Sequence, residues 1–178
     1  MPLERLSPLD AGFLHVEDSV THMHIGSVSI MEGPPPRFED LREMVASKLP
    51  TVRRYRQIAK RVPLDLGRPV WVDDPYFNIE YHLRHTALPA PGNEAQLRNL
   101  VGRLMAQQLD RSRPLWEMWV IEGMPGDQWA IVSKVHHCMV DGVAGSDLLG
   151  LILDVTPDQR PAEETPWIPA LPPAGWEL

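Results

Sequence analysis

Residues 128–153 read QWAIVSKVHHCMVDGVAGSDLLGLIL. Residues 128–135 form an apolar run rich in β-branched side chains, the pattern of a buried strand. Residues 142–153 begin with small side chains and continue with leucines, and they read as a helix packed behind the strand end. Between the two stand adjacent histidines, His136 and His137, with Asp141 and Gly142 four and five residues after the second. A buried strand that ends in a polar pair and is followed by a helix points to a sheet whose edge opens into a cleft.

Working outward, residues 115–122 (LWEMWVIE) are a second strand-like run, and GMPGD at 123–127 is a tight-turn signal joining the two as a hairpin. Asn93 suits an N-cap, and Leu97, Leu100, Val101, Leu104, Met105 and Leu109 recur at helical spacing, which predicts a helix ending near DRSRP at 110–114. Residues 69–86 predict one or two strands broken at Pro75. Residues 38–49 place Phe38, Leu41, Met44, Val45 and Leu49 on one helical face, with Glu39 and Asp40 favourably in the first turn. Residues 22–31 predict a strand. The order β-α-β-α-β-β-α indicates a mixed α/β domain, a sheet flanked by helices.

The chain has 178 residues, 43% of them apolar and 23% charged, which fits one ordinary domain with a real core. Its net charge of −7 argues against nucleic acid as a main partner, because phosphate binding needs a basic face. One cysteine, Cys138, allows no intrachain disulfide and suits a reducing, cytoplasmic compartment. The opening MPLERLSPLD is not a secretory signal, and no apolar run approaches the ~18 residues that span a bilayer. Six of the 19 prolines fall in residues 156–178, which read as an extended linker or surface-wrapping tail. The domain is expected to occupy residues 1–155.

Histidine is the side chain that can accept and return a proton near neutral pH. Neighbouring residues on a strand face opposite ways, so a regular strand presents only one of His136 and His137 to a cleft and turns the other inward as a support. Asp141 could orient the loop or pair within it, and Gly142 permits a backbone conformation that other residues resist. No serine or cysteine nucleophile elbow is visible, which favours direct transfer assisted by a base. A bare histidine pair is most often an ordinary surface or core pair. A metal site needs further ligands, and His15, His22, His24, His82 and His85 stand at no recognisable metal spacing to the pair.

The full pattern H-H-x-x-x-D-G at residues 136–142 resembles the active-site signature of the CoA-dependent acyltransferase superfamily, which includes chloramphenicol acetyltransferase-like enzymes and peptide condensation domains. Three further stretches resemble the bacterial wax ester synthase/diacylglycerol acyltransferase family: LSPLDAGFLHVE at 6–17, MHIGSVSIMEG at 23–33, and LDRSRPLWEMWVIEG at 109–123 with its Pro114-Leu115-Trp116 motif. The resemblance implies a chloramphenicol acetyltransferase-like half, the N-terminal domain of a two-domain acyltransferase. It implies His137 as the general base, with His136, Asp141 and Gly142 in support. The substrates would be acyl-CoA, as co-substrate and not as a bound cofactor, and diacylglycerol or a long-chain alcohol.

Pro114, Leu115 and Trp116 would be structural or would line an acyl channel, the structural reading being the more ordinary one at a strand start. The basic run Arg53, Arg54, Arg56, Lys60 and Arg61 reads first as a solvated helix face, and otherwise as a contact for CoA phosphates or anionic lipid. The resemblance further implies a C-terminal half as partner, with residues 156–178 as the linker to it. A peripheral membrane or lipid-inclusion surface, no resident metal, and a homodimer left open complete these expectations. A carrier-protein-dependent condensation or polyketide-associated acyltransferase, and a non-catalytic lipid-surface module, are the alternative readings.

Overall fold

In a computed structural model the described residues are 4–140, 167–171 and 173. Asp141, Gly142, the expected helix at 142–153 and most of the Pro-rich stretch lie outside them. The expected hairpin forms the centre of the fold. Strand β6 spans Trp116–Met124 and strand β7 spans Gln128–His136, paired antiparallel. All of β7 after Gln128 is buried, the apolar Trp129–Val132 and Val135 together with the polar Ser133, Lys134 and His136.

β7 is central because β2, His24–Glu32, pairs antiparallel with its other edge. The fourth strand, β5 (Leu83–Ala87), runs parallel to β6, giving the order β2-β7-β6-β5. Parallel neighbours need a crossover, and helix α4 (Glu94–Met105) supplies it. The side chain of Asn93 accepts from Gln96 N–H while Gln96 bonds back to Asn93 N–H, a complete capping box. On one face of the sheet Leu97 and Leu104 of α4 pack on Ile121, Ala130 and Val132. On the other, Trp116, Met118, Val120, Ile131 and Val135 meet Leu14 of helix α1 (Pro8–Val16) and Leu41 and Val45 of helix α2 (Phe38–Lys48).

α4 is shorter than its apolar spacing suggests, and Leu109 belongs to the loop after it, although it is 4% exposed and part of the core. The reason lies outside the helix. The carbonyl of Met105 bonds to His24 Nε2 (2.9 Å), while those of Leu104 (2.9 Å) and Gln107 accept from buried Lys134 Nζ. The last turn is thus capped by side chains of the sheet, with a cation at the negative end of the helix dipole.

The basic run is not a solvated helix face. Residues Arg53–Arg56 form a short 3-10 turn, and Gln57–Lys60 form strand β3. β3 pairs with β4 (Val70–Asp73), which also pairs with β1 (Glu4–Arg5), making a second, three-stranded sheet. Arg56 is 5% exposed, with its guanidinium over the Trp167 ring at 4.7 Å. Arg53 binds both oxygens of Asp73 at 3.0 and 2.7 Å, and Arg54 lies over Trp71 and pairs with Glu4. Burial raises the Asp73 pKa, but Arg53, the Ala170 N–H and Gln57 outweigh it, so the carboxyl stays below its usual range. Ala170 N–H donates to Asp73 at 2.9 Å, which lays this described part of the Pro-rich stretch on the small sheet.

The break at Pro75 separates β4 from β5, with the one-turn helix α3 (Ile79–His82) between them, capped by Asn78. Four elements were not anticipated: β1, helix α1, β3 and the one-turn helix α3. α1 nonetheless has a readable start, Ser7-Pro8-x-Asp10, with the Ser7 hydroxyl accepting from Asp10 N–H at 3.1 Å and Pro8 in the first turn.

Candidate active site

β7 ends at His136, and His137 opens a 3-10 turn through Met139. The two histidines diverge as alternation on a strand demands. His136 is fully buried, on the α4 side of the sheet with Lys134, whereas His137 is half-buried. Their backbones are held from opposite edges. His136 N–H donates to the Leu115 carbonyl beside β6 (2.9 Å), and His137 N–H donates to the Met23 carbonyl just before β2 (2.8 Å). Only a central strand can be gripped from both sides in this way.

The His136 ring has a defined tautomer. Its Nδ1 accepts the Cys138 backbone N–H at 3.1 Å, so Nε2 carries the proton. Nε2 forms no well-aligned hydrogen bond, and the Glu17 Oε2 atom lies 3.5 Å away. Burial drives the His136 pKa down to about 4. The Glu17 carboxylate pulls the other way, and Arg111 adds to the fall. His136 is therefore neutral at pH 7. The His137 ring stacks on Phe13 of α1, with centroids 4.6 Å apart and planes inclined by 22°.

Glu17 caps the C-terminus of α1 and is 8% exposed. Its Oε2 accepts Arg111 Nε (2.9 Å) and Nη2 (2.6 Å), and its Oε1 accepts Met23 N–H (3.1 Å). Burial alone would raise its pKa, but Met23, Arg111, Gln108 and His136 prevail and hold the carboxyl below its usual range. Sequence reading did not single out Glu17, Arg111, Phe13 or Met23. Glu17 and Arg111 are 94 positions apart, and a lone acid after a helix carries no sign of a distant arginine.

Pro114, Leu115 and Trp116 lead into β6, all three buried. Trp116 is fully enclosed. Its ring stacks on His82 at 4.7 Å, and its indole N–H donates to the Tyr55 carbonyl at 2.8 Å. Leu115 does two things: its carbonyl holds His136, and its side chain lines a cavity of ≈ 1050 Å³ between α1, the β3–β4 sheet and residues 111–115. His136 and His137 are not among the residues lining that cavity, whereas Arg111 borders it and pairs with Glu17. Cys138 is buried, and burial pushes its thiol pKa up, the opposite of the shift that activates a nucleophilic thiolate. Among the described residues no cluster of three or more His, Cys, Asp or Glu side chains could hold a metal ion. No helix among them is long and apolar enough to cross a membrane.

A half-exposed histidine at the end of a central strand, backed by a buried neutral one, is an arrangement suited to a positioned base, and the fold around it has known counterparts. The starter condensation domain of rhizomide synthetase superposes with a TM-score of 0.59 at 17% identity, over 80% of this chain and 34% of that one, a likeness of fold alone. The wax ester synthase/diacylglycerol acyltransferase from Marinobacter aquaeolei VT8 superposes with a TM-score of 0.72 at 34% identity, over 88% of this chain and 38% of that one.

Residues 6–175 match the family described as "Wax ester synthase/diacylglycerol acyltransferase catalytic domain", and the chain belongs to it. From Mycobacterium tuberculosis, "Probable diacyglycerol O-acyltransferase tgs1" is 47% identical over 154 residues, covering 85% of this chain and 33% of the relative. "Probable diacyglycerol O-acyltransferase tgs3" is 41% identical over 176 residues, covering 98% of this chain and 65% of that protein. The chain thus spans about a third of the first relative's length.

Proposed function

We propose that the chain is the N-terminal part, residues 1–155 with the linker at 156–178, of an O-acyltransferase. It would move a fatty acyl group from acyl-CoA to the hydroxyl of diacylglycerol or a long-chain alcohol. The observation that carries this reading is the placement of His137: beyond the last buried residue of β7, half-exposed, its backbone tied to Met23 and its ring braced by Phe13. Family membership supports the choice of reaction.

In this reading the His137 imidazole takes the proton of the acceptor hydroxyl as that oxygen attacks the thioester carbonyl. The tetrahedral intermediate collapses, the C–S bond breaks, and the imidazolium returns its proton to the departing thiolate. One group acts as base and then as acid, and no redox or metal step is needed. Orientation of both substrates against His137 contributes as much as the proton transfer. Pro114, Leu115 and Trp116 act from behind, through the Leu115 carbonyl on His136. Asp141 and Gly142, outside the described residues, would shape the turn. A C-terminal domain would complete the substrate channel, and a membrane or lipid-inclusion surface would present the insoluble acceptor.

The test is CoA release from palmitoyl-CoA with diacylglycerol or hexadecanol, using this chain with its downstream domain supplied. Acceptor-dependent release that falls by about 10³ in His137→Ala is expected. Release that ignores the acceptor, or survives that substitution, excludes the reading.

A further inference from the structure

Among the described residues Glu17 is the most buried carboxylate near the two histidines, its side chain 1% exposed, yet the transfer chemistry gives it no proton to move. From this position we infer that Glu17 is a positioning residue for His137, acting through two short paths. The inference rests on His137 being the base.

The first path runs through one residue. The Glu17 carboxylate accepts the Met23 N–H at 3.1 Å, and the Met23 carbonyl accepts the His137 N–H at 2.8 Å. The second path crosses the end of β7. His136 Nε2–H faces Glu17 at 3.5 Å, and His136 Nδ1 accepts the N–H of Cys138, the residue just after His137. The peptide groups on both sides of His137 are therefore referred to one carboxylate. That carboxylate is itself fixed by the two-bond grip of Arg111, and its backbone closes the helix bearing Phe13, since Glu17 N–H donates to the Phe13 carbonyl at 3.2 Å. The ring of Phe13 then braces that of His137.

The geometry also says why the residue must be an acid. Among the described residues Glu17 Oε2 faces Arg111 Nε, Arg111 Nη2 and His136 Nε2–H, three donors and no acceptor. A glutamine amide can keep the Met23 bond but sets its own donors against those three, or turns round and loses Met23. Loss of the carboxylate leaves the Arg111 guanidinium at the foot of the turn without its ion-pair partner among the described residues. The turn should then relax while the substrate-contacting surface stays intact.

The experiment compares wild type, Glu17→Gln and the double variant Glu17→Met/Arg111→Met, each with the downstream domain supplied. The double variant removes both charges and keeps apolar bulk, a replacement that buried ion pairs often tolerate. A displacement of the base by about 1 Å costs about 100-fold. Glu17→Gln is accordingly expected to lower kcat by about that factor, with KM for palmitoyl-CoA changed no more than about twofold. The double variant is expected to recover the wild-type Tm without recovering kcat. Recovery of both would reduce the pair to a fold-stabilising role and overturn the proposal.

Imidazole ¹⁵N resonances give a readout independent of turnover. Wild type should show His136 as the Nε2–H tautomer and His137 ring protons shifted by Phe13, and Glu17→Gln should lose both signatures. Unchanged resonances overturn the proposal even if no sample turns over. Wild-type release insensitive to His137→Ala sinks instead the assignment of the base.

Discussion

His82 and His136 are 1% and 0% exposed and both held neutral, for different local reasons. His82 lies between Phe77 and Trp116 and donates Nδ1–H to the Trp116 carbonyl at 2.7 Å. Burial drives its pKa down to about 4, with the Trp116 carbonyl pulling upward and Arg113 and Arg84 adding to the fall. An unfolded histidine protonates near pH 6.5, so between about pH 6.5 and 4 the unfolded chain binds more protons than the folded one. Their contribution to stability is whole above that window and falls as the pH drops through it, by at most about 1.4 kcal/mol per pH unit for each histidine. The urea midpoint should decline across this range, before the carboxylates of Glu17 and Asp73 protonate. His82→Gln should flatten the decline by about half; an unaltered slope would show that His82 is not held neutral. Neither depression was legible in sequence, because HLRH and KVHHC contain nothing about which strand lies opposite.

At the scale of elements, the two ends of α4 had unequal visibility. Asn93 and Gln96 are three apart, and their capping box is a local event that any chain with that spacing can form. Asn93→Ala should cost about 1 kcal/mol in urea unfolding; no loss would mean that packing of Leu97 and Leu104 alone holds the first turn. The other end is settled by Lys134 and His24, which come from β7 and β2 and reach the carbonyls only after the sheet assembles. The apolar spacing ran on to Leu109 for a sound reason, since Leu109 is indeed core, but it is core from a loop. The basic run failed similarly. Its cations looked like a solvated face because Asp73, which binds Arg53, lies 20 residues on.

For the whole molecule, β2 is the feature with consequences. It is a nine-residue edge strand with one edge unpaired among the described residues, and it exposes Ile25 (38%), Val28 (44%) and Ile30 (50%). Long edges bearing apolar side chains invite pairing with another chain. This chain by itself should associate with rising concentration in sedimentation velocity. Val28→Lys with Ile30→Lys should suppress that association, by placing like charges on any strand that docks there. A monomer at all concentrations would mean that the β2 edge is too short or too twisted to pair. The net charge of −7 does not protect this edge, since β2 carries only Glu32 among its nine residues as a fixed charge.

The sequence by itself determined the hairpin around GMPGD, the buried character of β7, the start of α4, and the divergence of His136 and His137. Each of these follows from neighbours within a few residues, through side-chain alternation, turn chemistry and capping. It also carried the family, through motifs whose residues are contiguous. The tertiary structure alone decided that Leu115 and Met23 grip the two histidines from opposite edges, that His136 is neutral with its proton on Nε2, and that Glu17 and Arg111 meet beneath the turn. Those facts depend on strand order and burial. Strand order pairs residues that lie far apart in the chain, and burial sets the desolvation that moves a pKa. Neither is a property of any short segment.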